Sequence, residues 1–353
     1  MRLTVLSVSY PLAKVSPGTA GGAEQVLATI DKGLVREGHR SLVLAPAGSR
    51  CAGLLIPASV PSSVLDDEAK REARRIFRRL LDRTLMQHSV DVVHMHGIDF
   101  LDYLPDGDVP AVVSVHLPLE WYPRDAICGF RPNLKLVSVS EFQARNSHAG
   151  CVIDCVIPNG VDIEEFRPAR KTGDYALAMG RICPEKGFHL ALDAVERTGA
   201  NLILAGTVFE YPEHRRYFDS MIAPRLNNRV RFIGPVGGKR KRFLLAGAKC
   251  LLIPSQVQET SSLLAMEAMA CGTPVIAWRR GALPEIVSDG RTGFLVSSIE
   301  EMANAIARVD AINRVECRRE AEYKFDSRDM VSKYLDLYES VVDKNREREL
   351  NAA

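Results

Sequence analysis

Apolar residues come in short unbroken runs along this chain, and these alternate with stretches where they recur every three or four positions. LTVLSVSY (3–10) is the first unbroken run and reads as a β-strand. Residues 23–37 then carry Val26, Leu27, Ile30 and Leu34 at helical spacing, and Gly38 stops the helix. SLVLA (41–45) returns as a strand, and DVVHMH (91–96), AVVSVH (111–116), KLVSVS (135–140) and CVIDCVI (151–157) continue the series. A strand buried on one face alternates apolar with polar residues. These runs do not, which predicts a parallel sheet covered by helices on both faces.

IPNGVD (157–162) and the polar residues 168–173 interrupt the pattern, which then restarts. YALAMG (175–180), a helix near 187–198, NLILAG (201–206), RVRFIG (229–234), CLLIPS (250–255) and TPVIAW (273–278) make a second series. The expectation is two Rossmann-like, doubly wound α/β domains, 1–163 and 164–325. In such sheets ligands sit beyond the carboxyl ends of the strands, so a cleft between the domains is the default site. From Glu316 onward the chain is charged and helical, with Phe325, Met330, Tyr334, Leu337, Tyr338 and Val341 on one apolar face. Residues 326–353 form a closing helix whose last dozen residues are expected to fray.

Composition refines this only slightly. The 353 residues exceed what one core organises, and 46% hydrophobic with 25% charged residues is ordinary for a soluble globular protein. A net charge of +2 gives no reason to expect a nucleic-acid partner. No apolar run reaches the ~20 residues that span a bilayer, and MRLTVLSVSYPLAK lacks the features of a signal peptide. A cytoplasmic protein is expected. Of the eight cysteines the closest pair, Cys151 and Cys155, has neither metal nor redox spacing. Most of the cysteines read as small buried packing residues.

The richest segment is QETSSLLAMEAMACGTPVI (258–276), in which Glu259 and Glu267 stand eight positions apart. A helix is expected to start near Ser261 or Ser262 and to end at Gly272. Thr260, Ser261 and Ser262 can cap it, and the free N–H groups and positive dipole end of a helix start suit a diphosphate. Glu267 would lie roughly 7 Å along the helix, at 1.5 Å per residue, within reach of a ribose attached to that diphosphate. Glu259, just before the helix, could accept hydrogen bonds from sugar hydroxyls. On spacing alone, two solvent-facing glutamates are the better reading, since helix starts favour acids anyway.

The surrounding residues resemble the donor-binding motif of family 4 (GT4) of the retaining glycosyltransferases: Glu, seven residues, Glu, then Ala-Met-Ala-Cys-Gly-Thr-Pro-Val. The resemblance implies the GT-B fold, two Rossmann-like domains with a cleft between them and a C-terminal helix that crosses back to the first. One departure is Ser262, where the family usually has Gly against the phosphates. Gly180-Arg181 and Lys186-Gly187 resemble the segment whose Arg and Lys bind the donor phosphates. The chemistry agrees, since expelling a diphosphate calls for fixed cations. Gly21 and Gly22 resemble the glycines that let the backbone approach phosphate and sugar, although a plain turn would look the same. They do not form the dinucleotide fingerprint GxGxxG.

The remaining resemblances are less specific. His116 ends a strand where the family has a sugar contact, and a structural histidine there is equally compatible. His96 could face the acceptor, whereas His94 reads as packing. Asn159, in Pro158–Asp162, lies at the domain junction and could touch acceptor or sugar. Gly234 and Val236 resemble the loop that receives the nucleobase, and Leu263 completes the donor contacts. Residues 281–296 read as structural. No metal site is expected, because no carboxylate stands at ligand spacing beside the histidines and no DxD-like loop is evident. Two basic runs read as solvated faces, 239–242 and the helix 68–83 with Lys70, Arg71, Arg74, Arg75, Arg78, Arg79 and Arg83. The helix could also touch an anionic membrane surface.

The resulting expectation is a hexosyltransferase in which Arg181, Lys186, Glu259 and His116 carry the chemistry. The donor is a nucleotide-diphosphate sugar, a UDP-sugar before a GDP-sugar, and it serves as co-substrate with no separate cofactor. The acceptor is a small molecule, glycan or lipid-linked hydroxyl, and the protein is a monomer or dimer. A nucleotide-sugar epimerase, a glycosyl phosphorylase and a non-catalytic subunit of the same fold are the alternatives.

Overall fold

The computed structural model describes residues 1–19, 21–60, 66–129, 131–147 and 151–352. Its contacts divide the chain into two units, Met1–Asn159 with Ser327–Ala353, and Gly160–Asp326.

The first unit is built on a parallel sheet of β1 (Thr4–Val8), β2 (Arg40–Pro46), β3 (Leu54–Ala58), β4 (Val92–Met95), β5 (Ala111–Val115), β6 (Leu134–Ser138) and β7 (Cys155–Val156). Their order is β3-β2-β1-β4-β5-β6-β7. All residues of β4 and β5 are buried, which explains their unbroken apolar reading. Register sets Ser7 beside His94 and His94 beside Val112, so β4 lies at the middle of the sheet. The helix Asp67–Gln87 buries Ala73, Phe77 and Leu81. Phe77 and Leu81 join Leu6, Val93 and Val113 in one core. The helices Gly22–Arg36 and Ser327–Ala352 cross closely at Gly33, where a Cβ would meet the side chain of Val331.

The second unit carries β8 (Ala176–Met179), β9 (Leu202–Ala205), β10 (Val230–Phe232), β11 (Cys250–Ile253), β12 (Val275–Trp278) and β13 (Gly293–Val296). They form a parallel sheet in the order β10-β9-β8-β11-β12-β13. Leu251, Val275 and Ala277 meet Met266, Met269 and Ala270 of the helix Leu263–Ala270 in one core. Leu202, Leu204 and Ile276 meet Phe188, Leu192 and Met302 in another.

Several elements differ from the sequence reading. β3 carries Pro57 and lies at the sheet edge, where a missing N–H is tolerated. Of the apolar run 151–157 only Cys155–Val156 is a strand, and Val152 is exposed. Cys151 forms a disulfide with Cys128, and both pack, partly buried, against the core of the first unit. Cys183, Cys250, Cys271 and Cys317 are buried and free. The tail is two helices, Arg314–Lys324 and Ser327–Ala352, with Phe325 capping the first. Phe325 is buried with Leu283 and Ile286 in the second unit and does not share a face with Tyr334. Among the described residues no helix is long and apolar enough to cross a membrane.

Candidate functional site

In the second unit the strand order reverses between β8 and β11, and a crevice at such a switch point is where open parallel sheets bind ligands. The loop after β8 holds Arg181 and Lys186, and the loop after β11 holds Glu259. Their approach depends on glycine. Gly187 sits at φ +64°, and a Cβ there would run into the carbonyl of Pro254 at the end of β11. Gln256 N–H donates to the carbonyl of Glu185 at 2.7 Å, tying the two loops together.

These loops bring Lys186 and Glu259 into contact. Lys186 Nζ donates to Glu259 Oε1 at 2.6 Å, with the side chains 28% and 13% exposed. Half-buried charges at this separation interact several-fold more strongly than in bulk water. The backbone of Glu259 is held from the other side. Ala282 N–H donates to its carbonyl at 2.7 Å, and Gly281 packs so closely that a Cβ would strike the Glu259 backbone. Gly281 and Ala282, in the segment read from the sequence as structural, therefore hold the Glu259 backbone. Arg181 is exposed on the same loop as Lys186.

The helix Leu263–Ala270 starts where expected. Ser262 is its N-cap, and its Oγ accepts from Ala265 N–H at 3.3 Å. The Ser in place of the usual Gly thus serves the helix itself. Ser261 Oγ is buried with no partner, Thr260 lies half-buried beside it, and Leu263 packs against the core. Glu267 is buried on the fifth residue of the helix, and Lys241 Nζ lies 2.6 Å from its Oε1 and 2.5 Å from its Oε2. Burial raises the Glu267 carboxyl above the usual range, and the Lys241 ammonium opposes that shift. This corrects the reading of 239–242 as a solvated face. Lys239 and Arg240 are exposed, but Lys241 turns inward to Glu267 and Arg242 pairs with Glu165 at 2.6 Å. Four consecutive basic residues gave no sign of which one faces a carboxylate distant in sequence. Gly234 adopts φ +70° with open space where a Cβ would stand, and its carbonyl accepts from Gly206 N–H at 2.9 Å. Val236 is half-buried against the core beyond that turn.

In the first unit β4 and β5 bring three histidines together. His96 Nδ1 and His116 Nε2 are 3.0 Å apart with the rings stacked. His94 Nε2 meets Ser114 Oγ at 2.8 Å and His94 Nδ1 meets Tyr338 OH at 2.6 Å, while Tyr334 OH reaches Ser114 at 2.7 Å. His94 therefore anchors the closing helix. Burial pushes His94 and His96 well below the ordinary histidine range and takes His116 down to about 4. All three are neutral near pH 7.

Two residues that position His116 had no signal in the sequence. Tyr122 OH accepts from His116 N–H at 3.0 Å. Gln143 Nε2 donates to the carbonyls of Val115 and Leu117, both at 2.8 Å, bracketing the histidine. Gly21 and Gly22 open the helix Gly22–Arg36, and the Glu24 carboxylate folds back to where a Gly21 Cβ would stand. Asn159 is buried, and its Oδ1 has no partner.

The structure thus groups the expected residues in two sets. Gly21, Gly22, His96, His116 and Asn159 belong to the first unit, and Arg181, Lys186, Gly234, Val236, residues 259–263 and Glu267 to the second. On the basic helix, Arg74 pairs with Asp99 and Asp102, and Arg78 pairs with Asp82 and Asp106, so part of its charge is neutralised within the unit.

Comparison with known proteins agrees with this geometry. The family described as Glycosyl transferases group 1 matches residues 162–324, and Glycosyltransferase Family 4 matches residues 20–165. D-inositol 3-phosphate glycosyltransferase of Saccharomonospora viridis is 32% identical over 214 residues, 51% of this chain and 48% of that protein. The protein of the same name from Mycobacterium avium is 34% identical over 173 residues, 44% of this chain and 40% of its own. The chain thus spans about half the length of the curated relatives it matches. Among solved structures, AviGT4, a glycosyltransferase involved in Avilamycin A biosynthesis, is 26% identical with a TM-score of 0.72, covering 97% of this chain and 98% of its own. Sucrose-phosphate synthase of Thermosynechococcus elongatus has the same fold, with a TM-score of 0.82 at 19% identity, covering 97% of this chain and all of its own. Two consecutive family matches across residues 20–324, a GT-B fold of two parallel sheets, and paired Lys and Glu side chains at a switch point agree: the chain belongs to the group 1, family 4 glycosyltransferases.

Proposed function

We propose that this chain transfers a hexosyl group from a nucleotide-diphosphate sugar to a hydroxyl acceptor with retention of configuration. The observation that carries this reading is the Lys186–Glu259 pair at the switch point of the second sheet, 2.6 Å apart. A diphosphate arriving there competes with Glu259 for the Lys186 ammonium. Lys186 and Arg181 then face the charge that grows on the departing diphosphate, where fixed cations lower the barrier most. Glu259, released from Lys186, accepts from the sugar hydroxyls. Glu267, held by Lys241, accepts from the ribose. The bare hydroxyl of Ser261 and the first-turn N–H groups of the helix Leu263–Ala270 remain for the phosphates.

His116 acts as a neutral hydrogen-bonding group toward the sugar, because its proton is lost at about 4. The cationic work falls to Arg181 and Lys186, with no divalent ion assigned to the chemical step. Same-face attack assisted by the departing phosphate is the proposed route, since no carboxylate is assigned as a nucleophile. A UDP-sugar is the first donor proposed and a GDP-sugar the second.

The test is release of nucleotide from UDP-, GDP-, ADP- and dTDP-sugars, with and without a panel of hydroxyl acceptors that includes inositol phosphates. Release from one donor that requires an acceptor, and is lost in Lys186→Ala, supports the proposal. Release without any acceptor in every pairing, or full activity in Lys186→Ala, refutes it.

A further inference from the structure

Beside the donor loop, but outside the residues assigned to the donor, lies a second group of chemically capable side chains. Cys183, Glu185 and His214 each offer one ligand atom, and those atoms all fall within 4.8 Å of one another. Cys183 and His214 are buried and Glu185 is exposed. Cys183 and Glu185 come from the loop after β8, and His214 comes from the short helix Pro212–Tyr217. The three are therefore brought together by the fold, and their spacing in sequence matches no metal motif.

The nitrogen His214 Nδ1 is the independent sign. It is buried, within a residue only 9% exposed, and no hydrogen-bond partner meets it among the described residues. A buried imidazole nitrogen without a partner loses hydration and gains nothing in return. The ring is also held in place, edge-on against Tyr211 at 5.1 Å and Phe209 at 6.4 Å. Of the three groups only Glu185 is exposed to solvent. The Cys183 thiol lies 3.6 Å from the carbonyl of Arg181 and is already hydrogen-bonded to the Glu185 side chain, so two of the three groups meet in the fold as it stands.

A thiolate, an imidazole and a carboxylate are a donor set for zinc-class ions rather than for magnesium or calcium. Zinc bonds of roughly 2.0–2.3 Å place tetrahedral ligand atoms about 3.3–3.8 Å apart. Separations of at most 4.8 Å exceed the short end of that range by no more than about 1.5 Å, so small side-chain adjustments suffice for the three to close on one ion, leaving a fourth position for water.

We propose that Cys183, Glu185 and His214 form a binding site for one zinc-class divalent cation. The ion would tie the loop that carries Arg181 and Lys186 to the helix Pro212–Tyr217. It would brace the phosphate-binding residues while taking no part in the transfer itself. Binding displaces the thiol proton to solvent, so metal uptake is accompanied by acid release.

The experiment uses the full chain, stripped with a chelator and then titrated with Zn²⁺ against a chromophoric competitor. Co²⁺ serves as a second probe that reports thiolate ligation by absorption. The expected result is saturation at one equivalent, a sulfur-to-cobalt charge-transfer band and slower amide exchange over residues 183–186 and 212–217. Loss of an outer-shell partner costs about 10–100-fold in metal affinity, so Cys183→Ser and His214→Gln should each weaken binding by at least about 100-fold. Glu185→Gln, at an exposed position that does not threaten folding, should weaken it by about tenfold or more. No saturable binding at micromolar Zn²⁺, or wild-type affinity in Glu185→Gln and in whichever of the other two variants folds, overturns the proposal.

Discussion

The two sheets share one order through six strands, β3-β2-β1-β4-β5-β6 in the first unit and β10-β9-β8-β11-β12-β13 in the second, yet their functional side chains differ in charge. The second unit presents salt bridges, Lys186 with Glu259 and Lys241 with Glu267. The first presents imidazoles that burial keeps neutral. Topology decides where a site forms, and the partners its groups meet set the two units apart: Lys–Glu pairs in the second, imidazole and hydroxyl groups in the first. A transferase needs both kinds. In the proposed reaction the cations would meet a departing diphosphate, and the neutral imidazoles would orient a sugar without competing for the phosphate charge.

The sharpest way to break this contrast is to remove a charge from the second unit. Lys186→Ala should lower kcat/KM by about 10³-fold, because it deletes a cation aimed at developing charge and leaves Glu259 uncompensated. Steady-state nucleotide release measures this. Removing the neutral group from the first unit should cost less. His116→Ala should lower kcat by about 10²-fold, and the pH–rate profile between pH 6 and 8 should keep its shape, since the imidazole does not titrate there. A lost inflection near pH 6.5 in that variant would mean that the histidine works as a charged acid. Glu267→Ala should act mainly on donor affinity, raising KM by roughly 10–100-fold, as expected for a lost hydrogen bond to a charged group.

The neutral histidines also carry a stability signature. An unfolded histidine titrates near 6.5, whereas His116 in the fold titrates at about 4. The unfolded chain therefore binds that proton more tightly. Stability from this group is complete above about pH 6.5 and is lost as pH falls toward 4, by at most about 3 kcal/mol. Melting curves across that range should show the decline, and His116→Phe should make it shallower, with His94 and His96 still contributing. The smallest effect belongs to Ser262. Ser262→Ala should cost about 1 kcal/mol in stability and Ser262→Gly a few tenths, with donor KM unchanged in the Gly variant. A large change in KM there would show that the hydroxyl serves the phosphate and not the helix.

The sequence revealed what is local or periodic. Unbroken apolar runs marked the central strands of both sheets, because strands such as β4 and β5 are buried on both faces. The QETSSLLAME segment gave the helix start and the two glutamates for the same reason: capping and spacing are short-range. What escaped was long-range pairing. Nothing at Lys241 distinguishes it from Lys239 or Arg240 until the fold sets it against Glu267. Tyr122 and Gln143 hold His116 through contacts that leave no periodic trace. Cys128 and Cys151, 23 positions apart, and the trio Cys183, Glu185 and His214 are likewise products of the folded chain. The edge strand β3 was missed because Pro57 breaks the apolar pattern, and an edge position tolerates it.

The most direct test of the central claim, that the unit Gly160–Asp326 binds a nucleoside diphosphate through Lys186, is a thermal-shift panel of UDP, GDP, ADP and dTDP on the full chain. At about 100 times its Kd a ligand stabilises the folded state by ~2.7 kcal/mol. One nucleotide should therefore raise the melting temperature by several degrees in the wild type and have little effect in Lys186→Ala. A flat response to all four in the wild type, or an equal shift in both proteins, would contradict the account.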